Sequence, residues 1–197
     1  MKKIIALVTG GFTGESVISL KSADFVFKNL NAEKFEIFKI IVTRESWFHV
    51  DENGLKHKID KNDFTLDISG RTIHFDGVFL MLHGSPGEDG KLQGYFDMLN
   101  IPYTSCDALT SSITMNKGYS KAIVADIDDL HVAKSVQLFG EKVENVEKVT
   151  ATLSLPYFVK PNNGGSSIGM SKVKSYEELP EALEKAFKED DQVLAMA

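Results

Sequence analysis

The sequence predicts an α/β protein: a first domain built on a parallel sheet, followed by a smaller α+β domain. Two observations carry this. Residues 3–9, KIIALVT, form a short apolar run rich in Ile and Val that ends in Gly10-Gly11, the pattern of a buried strand closing in a tight turn. Val17, Leu20, Ala23, Phe27 and Leu30 then recur at helical spacing, and KFEIFKIIVT (34–43) is a second apolar run. Strand, helix and strand make a βαβ unit, from which parallel sheets are assembled.

The remaining elements follow in order. In residues 46–75, ENG at 52–54 marks a hairpin tip between WFHV and LKHKI. DGVFLML (76–82) is a further buried strand. A glycine-rich loop, HGSPGEDG, comes next, then a short helix marked by Leu92, Phe96 and Leu99, and a short strand, IPYT. The first domain is expected to close at residue 105, giving domains of 1–105 and 106–197. Asp107 is placed to cap a helix running to Ile127. VAKSVQL (132–138) and LPYFVK (155–160) read as strands around a charged, helical stretch. GMSKVK is a strand, and Ser175 and Glu178 have capping-box spacing at the head of a helix reaching Lys188. QVLAMA is the last strand.

Composition excludes several classes. The 197 residues carry 22 basic and 28 acidic side chains, a net charge of −6. That is the wrong field for a general nucleic-acid or anionic-membrane binder, although a pocket can still be locally basic. One cysteine, Cys106, rules out an internal disulfide and a cysteine metal cluster, fits a reducing cytoplasm, and is expected to be a small buried residue. IIALV is too short for a signal-peptide core, and no run approaches the ~20 apolar residues of a membrane span. GGFTGES lacks G-x-G-x-x-G spacing, so the first domain is Rossmann-like without the dinucleotide fingerprint. GSPGEDGK ends in Gly-Lys, but Ser85 and Leu92 stand where a P-loop needs glycine and Ser or Thr.

Three polar stretches lie at strand ends. Gly10 to Ser16 opens a helix, where main-chain N–H groups favour anions. There Glu15 is either a stabilising first-turn acid or a carboxylate that holds a substrate cation. HGSPGEDGKLQG (83–94) begins with His83 at the end of an apolar strand, where open α/β sheets bind ligands. A lone histidine is also an ordinary structural residue, and Asp89 reads as a cap for the next helix. KPNNGGSSIGMSKV (160–173) joins a lysine to a loop of small residues. Such a loop can cradle polyphosphate with main-chain donors and a cation, or it can be a long hairpin turn with an incidental lysine. Lys117, in MNKGYSK, is either a second cation or a solvated helix lysine.

Taken together and in order, these motifs resemble the D-alanine–D-alanine ligases. HGSPGEDGKLQG matches every fixed position of the signature H-G-x-x-G-E-D-G-x-[aliphatic]-Q-G. GG-x-x-x-E precedes it, and PYT, M-x-K and K-P-x-x-x-G-S-S-x-G-M-S-K-V follow. The resemblance runs along essentially the whole chain. It implies an ATP-grasp fold, a Rossmann-like first domain followed by the N-terminal subdomain of the grasp, and ATP as cosubstrate. It implies ligation of two D-alanines through an acyl phosphate for peptidoglycan.

By position, the resemblance makes Glu15 the anchor of the first substrate's ammonium, with His83 facing that substrate. Ser166 would link the loop to Glu15, as one of two catalytic residues. Lys117 and Lys160 would neutralise ATP phosphates, and Gly165, Ser166 and Ser167 would cover them, with 161–169 as a lid. It further implies a cytoplasmic homodimer. Its Mg2+ or Mn2+ ligands are expected beyond these residues, so that the chain reads as an N-terminal portion, inactive alone, with the second half of the grasp absent. Met196 or its neighbours, in QVLAMA, fall where the family has an acid near the ribose and adenine. A D-alanine–D-lactate or other ATP-grasp ligase, or a non-catalytic fragment, are the alternatives.

Overall fold

The computed structural model describes every residue except Met1, Glu141 and Val143. The chain divides into two compact units, Met1–Ser112 and Ile113–Ala197.

The first unit is a seven-stranded sheet. Its strands are β1 (Lys3–Gly10), β2 (Phe35–Val42), β3 (Trp47–Val50), β4 (Lys56–Asp60), β5 (Thr65–Ile68), β6 (Arg71–Ile73) and β7 (Gly77–Leu80), in the order β6-β5-β4-β3-β2-β1-β7. Helix α1 (Ser16–Asn29) makes the crossover between β1 and β2, which run parallel from Lys3↔Phe35 to Gly10↔Val42. β7 pairs with β1 in parallel on the other side. Ala6, Leu7 and Val8 have no exposure at all, as a central parallel strand covered on both faces requires.

Only β2, β1 and β7 are parallel; the expected parallel sheet is extended by an antiparallel meander. Its first hairpin turns at the ENG tip, where Asp51 accepts from the N–H groups of Asn53 and Leu55, both at 2.9 Å. A second hairpin, beyond the one the sequence announced, turns at Ser69-Gly70. Both residues have positive φ, 53° and 79°, as a two-residue type I′ loop demands. IPYT contributes a single parallel bridge, Val78↔Tyr103, in place of a strand.

Helix α2 (Lys91–Met98) and the first residues of α3 (Ala108–Met115), which runs on into the second unit, complete this part. Asp107 caps α3 as its position suggested, accepting from the Thr110 N–H at 2.7 Å. Cys106 is exposed, contrary to expectation. It lies in the irregular segment ahead of α3, where no alternating pattern directs a side chain inward.

In the second unit, the helix expected to run to Ile127 breaks at Asn116. Its side chain accepts from the Tyr119 N–H at 2.9 Å and starts α4 (Lys117–Ile123) afresh. Four strands follow: β8 (Ser135–Phe139), β9 (Tyr157–Pro161), β10 (Ser171–Val173) and β11 (Gln192–Met196), in the order β10-β9-β11-β8, all antiparallel. Between them lie α5 (Glu144–Thr150) and α6 (Leu179–Phe187). The capping box at Ser175 does not close. Glu178 turns to the N–H of Lys174 at 2.7 Å, and a 3-10 turn, Tyr176–Glu178, precedes α6.

Strand alternation splits this sheet into two faces. Val136, Leu138, Tyr157, Val159, Val193 and Ala195 join a core with residues of α5 and α6. The opposite face carries Lys160, Leu194 and Gln137 in one row across β9, β11 and β8, because Lys160 pairs with Leu194 and Leu194 with Gln137. That face is the one on which the polar chemistry sits.

Candidate functional site

The first unit brings two of the three polar stretches together. Gly10 has φ +96°, and a Cβ there would lie 2.5 Å from the Val42 carbonyl oxygen, so only glycine lets the chain leave β1 at this angle. The Phe12 N–H then donates to the Ser85 carbonyl at 2.8 Å, which joins the loop after β1 to the loop after β7. A Cβ on Gly84 would lie 2.9 Å from Glu15 Oε2 and 2.6 Å from Thr13 Oγ1. The Glu15 carboxylate therefore rests against the residue next to His83.

Ser19, fully buried, ties the pair further. Its hydroxyl accepts from the His83 N–H at 2.9 Å and donates to the Glu15 carbonyl at 3.3 Å. His83 Nε2 is 3.5 Å from Ser22 Oγ. Glu88 accepts from the Gly84 N–H at 2.6 Å and so shapes the loop. Gln93 donates to the Gly87 carbonyl at 2.7 Å. Asp89 sits two residues from a main-chain donor, Lys91 N–H, at 3.3 Å, while Gly90 is the N-cap of α2.

The second unit gathers the third stretch with Lys117. A cavity of about 170 Å3 is lined by Lys117, Lys160, Gly165, Ser166, Ser167 and Ile168 among others. Lys160 enters from β9 and Lys117 from the first turn of α4. The Lys117 ammonium donates to the carbonyl oxygens of Asn162, at 3.1 Å, and Gly164. Ser166 and Ser167 have φ of 50° and 59°, consecutive left-handed residues with side chains, a conformation that costs of order 1 kcal/mol or more per residue.

A neighbour of this cavity was not singled out in the sequence. Lys121, one turn along α4, donates to the Ala133 carbonyl and lines a second hollow with Gly118, Gln137 and Leu194. Burial and then the charge of Lys160 hold its ammonium below the ordinary lysine range. Its i+4 spacing from Lys117 was the available signal. The loop root is fixed by Asp190, which accepts from the Asn163 N–H at 2.6 Å and the Gln192 N–H at 3.0 Å. Burial pushes the Asp190 carboxyl up despite these donors.

An apolar cavity of about 330 Å3 lies at the far end of β1, against Ile5, Leu30, Phe35 and Tyr103. Its carboxylate, Asp76, is occupied by the Ile4 N–H at 2.7 Å and the Lys3 ammonium at 3.0 Å, so nothing there points to catalysis.

Two family models match the chain: the D-ala D-ala ligase N-terminus over residues 4–106 and the D-ala D-ala ligase C-terminus over residues 125–196. The chain belongs to the D-alanine–D-alanine ligase family. A curated D-alanine–D-alanine ligase of Parabacteroides distasonis is 44% identical over 98% of this chain, which spans 58% of that relative. Among solved structures, the D-alanyl-alanine synthetase A of Vibrio cholerae superposes with a TM-score of 0.88 at 30% identity. It is covered over 59% of its length and covers 99% of this chain. The VanG D-Ala:D-Ser ligase of Enterococcus faecalis gives 0.83 at 34%, with 62% of its chain and 100% of this one covered. The chain thus spans about three fifths of the ligases it resembles.

Among the described residues, no three His, Cys, Asp or Glu side chains are grouped to hold a metal ion. No helix among the described residues is long and apolar enough to cross a membrane.

Proposed function

We propose that this chain supplies the first-substrate and ATP-phosphate sites of an ATP-dependent ligase that joins two D-alanines. The observation that supports it best is the single cavity lined by Lys117, Lys160 and the residues Gly165 to Ser167. Two ammonium groups and a ring of small residues suit a polyphosphate, because phosphoryl transfer depends on charge neutralisation and positioning. The left-handed serines support a lid built to close over a ligand.

In this reading Glu15 holds the ammonium of the first D-alanine, and His83 faces that substrate. A carboxylate is a poor electrophile. A carboxylate oxygen of the first D-alanine attacks the γ-phosphorus, and the bond to ADP breaks. The amine of the second D-alanine then attacks the acyl carbon; phosphate leaves and the amine loses a proton. Lys117 and Lys160 hold the phosphates, and residues 161–169 close over them to keep water from the acyl phosphate. The resemblance would give Ser166 the role of linking the loop to Glu15. The two units, Met1–Ser112 and Ile113–Ala197, divide these roles. The protein works in the cytoplasm as a homodimer.

The 197 residues, which span about three fifths of the ligases they resemble, are expected to bind ATP without completing ligation alone. The test is D-alanine-dependent ADP formation, with the product identified by mass. The intact protein should form D-alanyl-D-alanine, and the 197 residues negligible product. Preference for D-lactate or D-serine as second substrate would shift the assignment to a sister ligase. Full turnover by the 197 residues would overturn the division of labour.

A further inference from the structure

One oxygen on the site face of the second sheet has three donors. Gln192 Oε1 accepts from Asn162 Nδ2 and Gln137 Nε2, both at 3.1 Å, and from Asn116 Nδ2 at 3.3 Å. These donors come from the loop root, from β8 and from the cap of α4. Asn162 is fully buried and Asn116 nearly so. Their remaining groups point to Lys117. Asn162 Oδ1 accepts from the Gly118 N–H at 2.9 Å, and the Asn162 carbonyl accepts from both the Lys117 N–H, 3.3 Å, and the Lys117 ammonium, 3.1 Å. Asn116 Oδ1 starts the helix that carries Lys117.

We infer that Gln192 is a positioning residue of the phosphate site: through Asn162 and Asn116 it fixes where Lys117 is presented to the loop. This rests on the proposed ATP reading. Buried amides left without an acceptor must find another partner or admit water, and either costs stability. Without the Gln192 oxygen, Asn162 can rotate to serve its own Nδ2, and the Gly118 N–H, which is bonded to the Asn162 side-chain oxygen, loses its acceptor at the first turn of the helix that carries Lys117. Packing reinforces the link. A Cβ on Gly118 would collide with the Gln137 side chain, so α4 sits directly on a residue that Gln192 holds.

Four variants of the 197-residue chain test this: Gln192→Met, Gln192→Glu, Leu153→Ala and Lys160→Ala. Gln192→Met keeps the length and removes the acceptor; Gln192→Glu keeps the acceptor. Leu153, buried in the core on the opposite face, controls for general destabilisation. Two quantities are read below the unfolding range: hydrogen exchange at the Gly118 amide, and calorimetric ATP affinity. Gln192→Met should speed exchange at the Gly118 amide about tenfold relative to Val173, and weaken ATP about tenfold. Gln192→Glu should restore slow exchange. Leu153→Ala should leave the ratio and the affinity unchanged. Wild-type exchange ratios in Gln192→Met would overturn the inference, as would ATP affinity within about twofold of wild type where Lys160→Ala abolishes binding. If Lys160→Ala leaves ATP binding unchanged, the ATP reading falls instead, and the exchange ratios still decide whether Gln192 positions Lys117.

Discussion

The Lys117 ammonium donates to the Asn162 carbonyl at 3.1 Å, so the first turn of α4 is tied to the root of the glycine loop. A cation in this place serves two ends. It closes the loop root on main-chain oxygens, and it stands at the wall of the cavity where Lys160 also lies. A polyphosphate entering that cavity competes with carbonyl oxygens for a charge already held in position.

Lys117→Ala therefore should weaken ATP binding by about ten- to a hundredfold, the worth of one charge-assisted hydrogen bond. Calorimetry on the purified variant measures it. Lys117→Arg should recover only part of the loss, because a planar guanidinium cannot repeat the geometry of a compact ammonium donating to two carbonyls.

Lys121 reports on its neighbour. Burial and the Lys160 charge both disfavour its protonated form. Lys160→Met removes the second cause, so the Lys121 pKa should rise toward the ordinary lysine value, the burial contribution remaining. Bound polyphosphate should raise it in the wild type. Titration of the lysine side-chain resonances distinguishes these outcomes from an unmoved Lys121.

Gly84→Ala should impair D-alanine binding more than folding. The new methyl would press on Glu15 Oε2 and Thr13 Oγ1 and would sit at φ +73°. Left-handed backbone at alanine costs about 1 kcal/mol, so the variant should fold. The Glu15 carboxylate must then swing away from the His83 loop. Substrate affinity falling with only a modest loss of melting temperature is the expected pattern.

Asp107 gives a pH signature. The Thr110 N–H bonded to it holds its carboxyl below the usual 3.8. A depressed folded-state pKa means that the cap's contribution is present above 3.8 and is lost as pH falls through the lower, folded value. Asp107→Ala should lower the melting temperature at neutral pH, and the gap to wild type should close below 3.8.

Much of this was legible along the chain, for local reasons. β1, α1 and β2 announce themselves by continuous and helical apolar spacing, and ENG names its own turn. The break at Asn116 was harder. MNKG continues a helical texture, and only the side chain's bond to Tyr119 ends one helix and begins another. The three-residue strand β6 is too short to show alternation, although Ser-Gly at its turn was a usable signal. Among candidate site residues, Lys160 and the glycine loop stood out by composition. Gln192 did not, because it acts on residues 30, 55 and 76 positions away, and no local pattern encodes such a meeting. Cys106 shows the converse: a rule about residue type fails where the chain is irregular.

The most direct measurement is a calorimetric titration of ATP into the 197-residue chain beside its Lys160→Ala variant. Saturable binding to the wild type, weakened at least about tenfold by Lys160→Ala, is the predicted result. No binding to the wild type, or equal binding to both, would contradict the assignment of the loop after β9 to ATP phosphates.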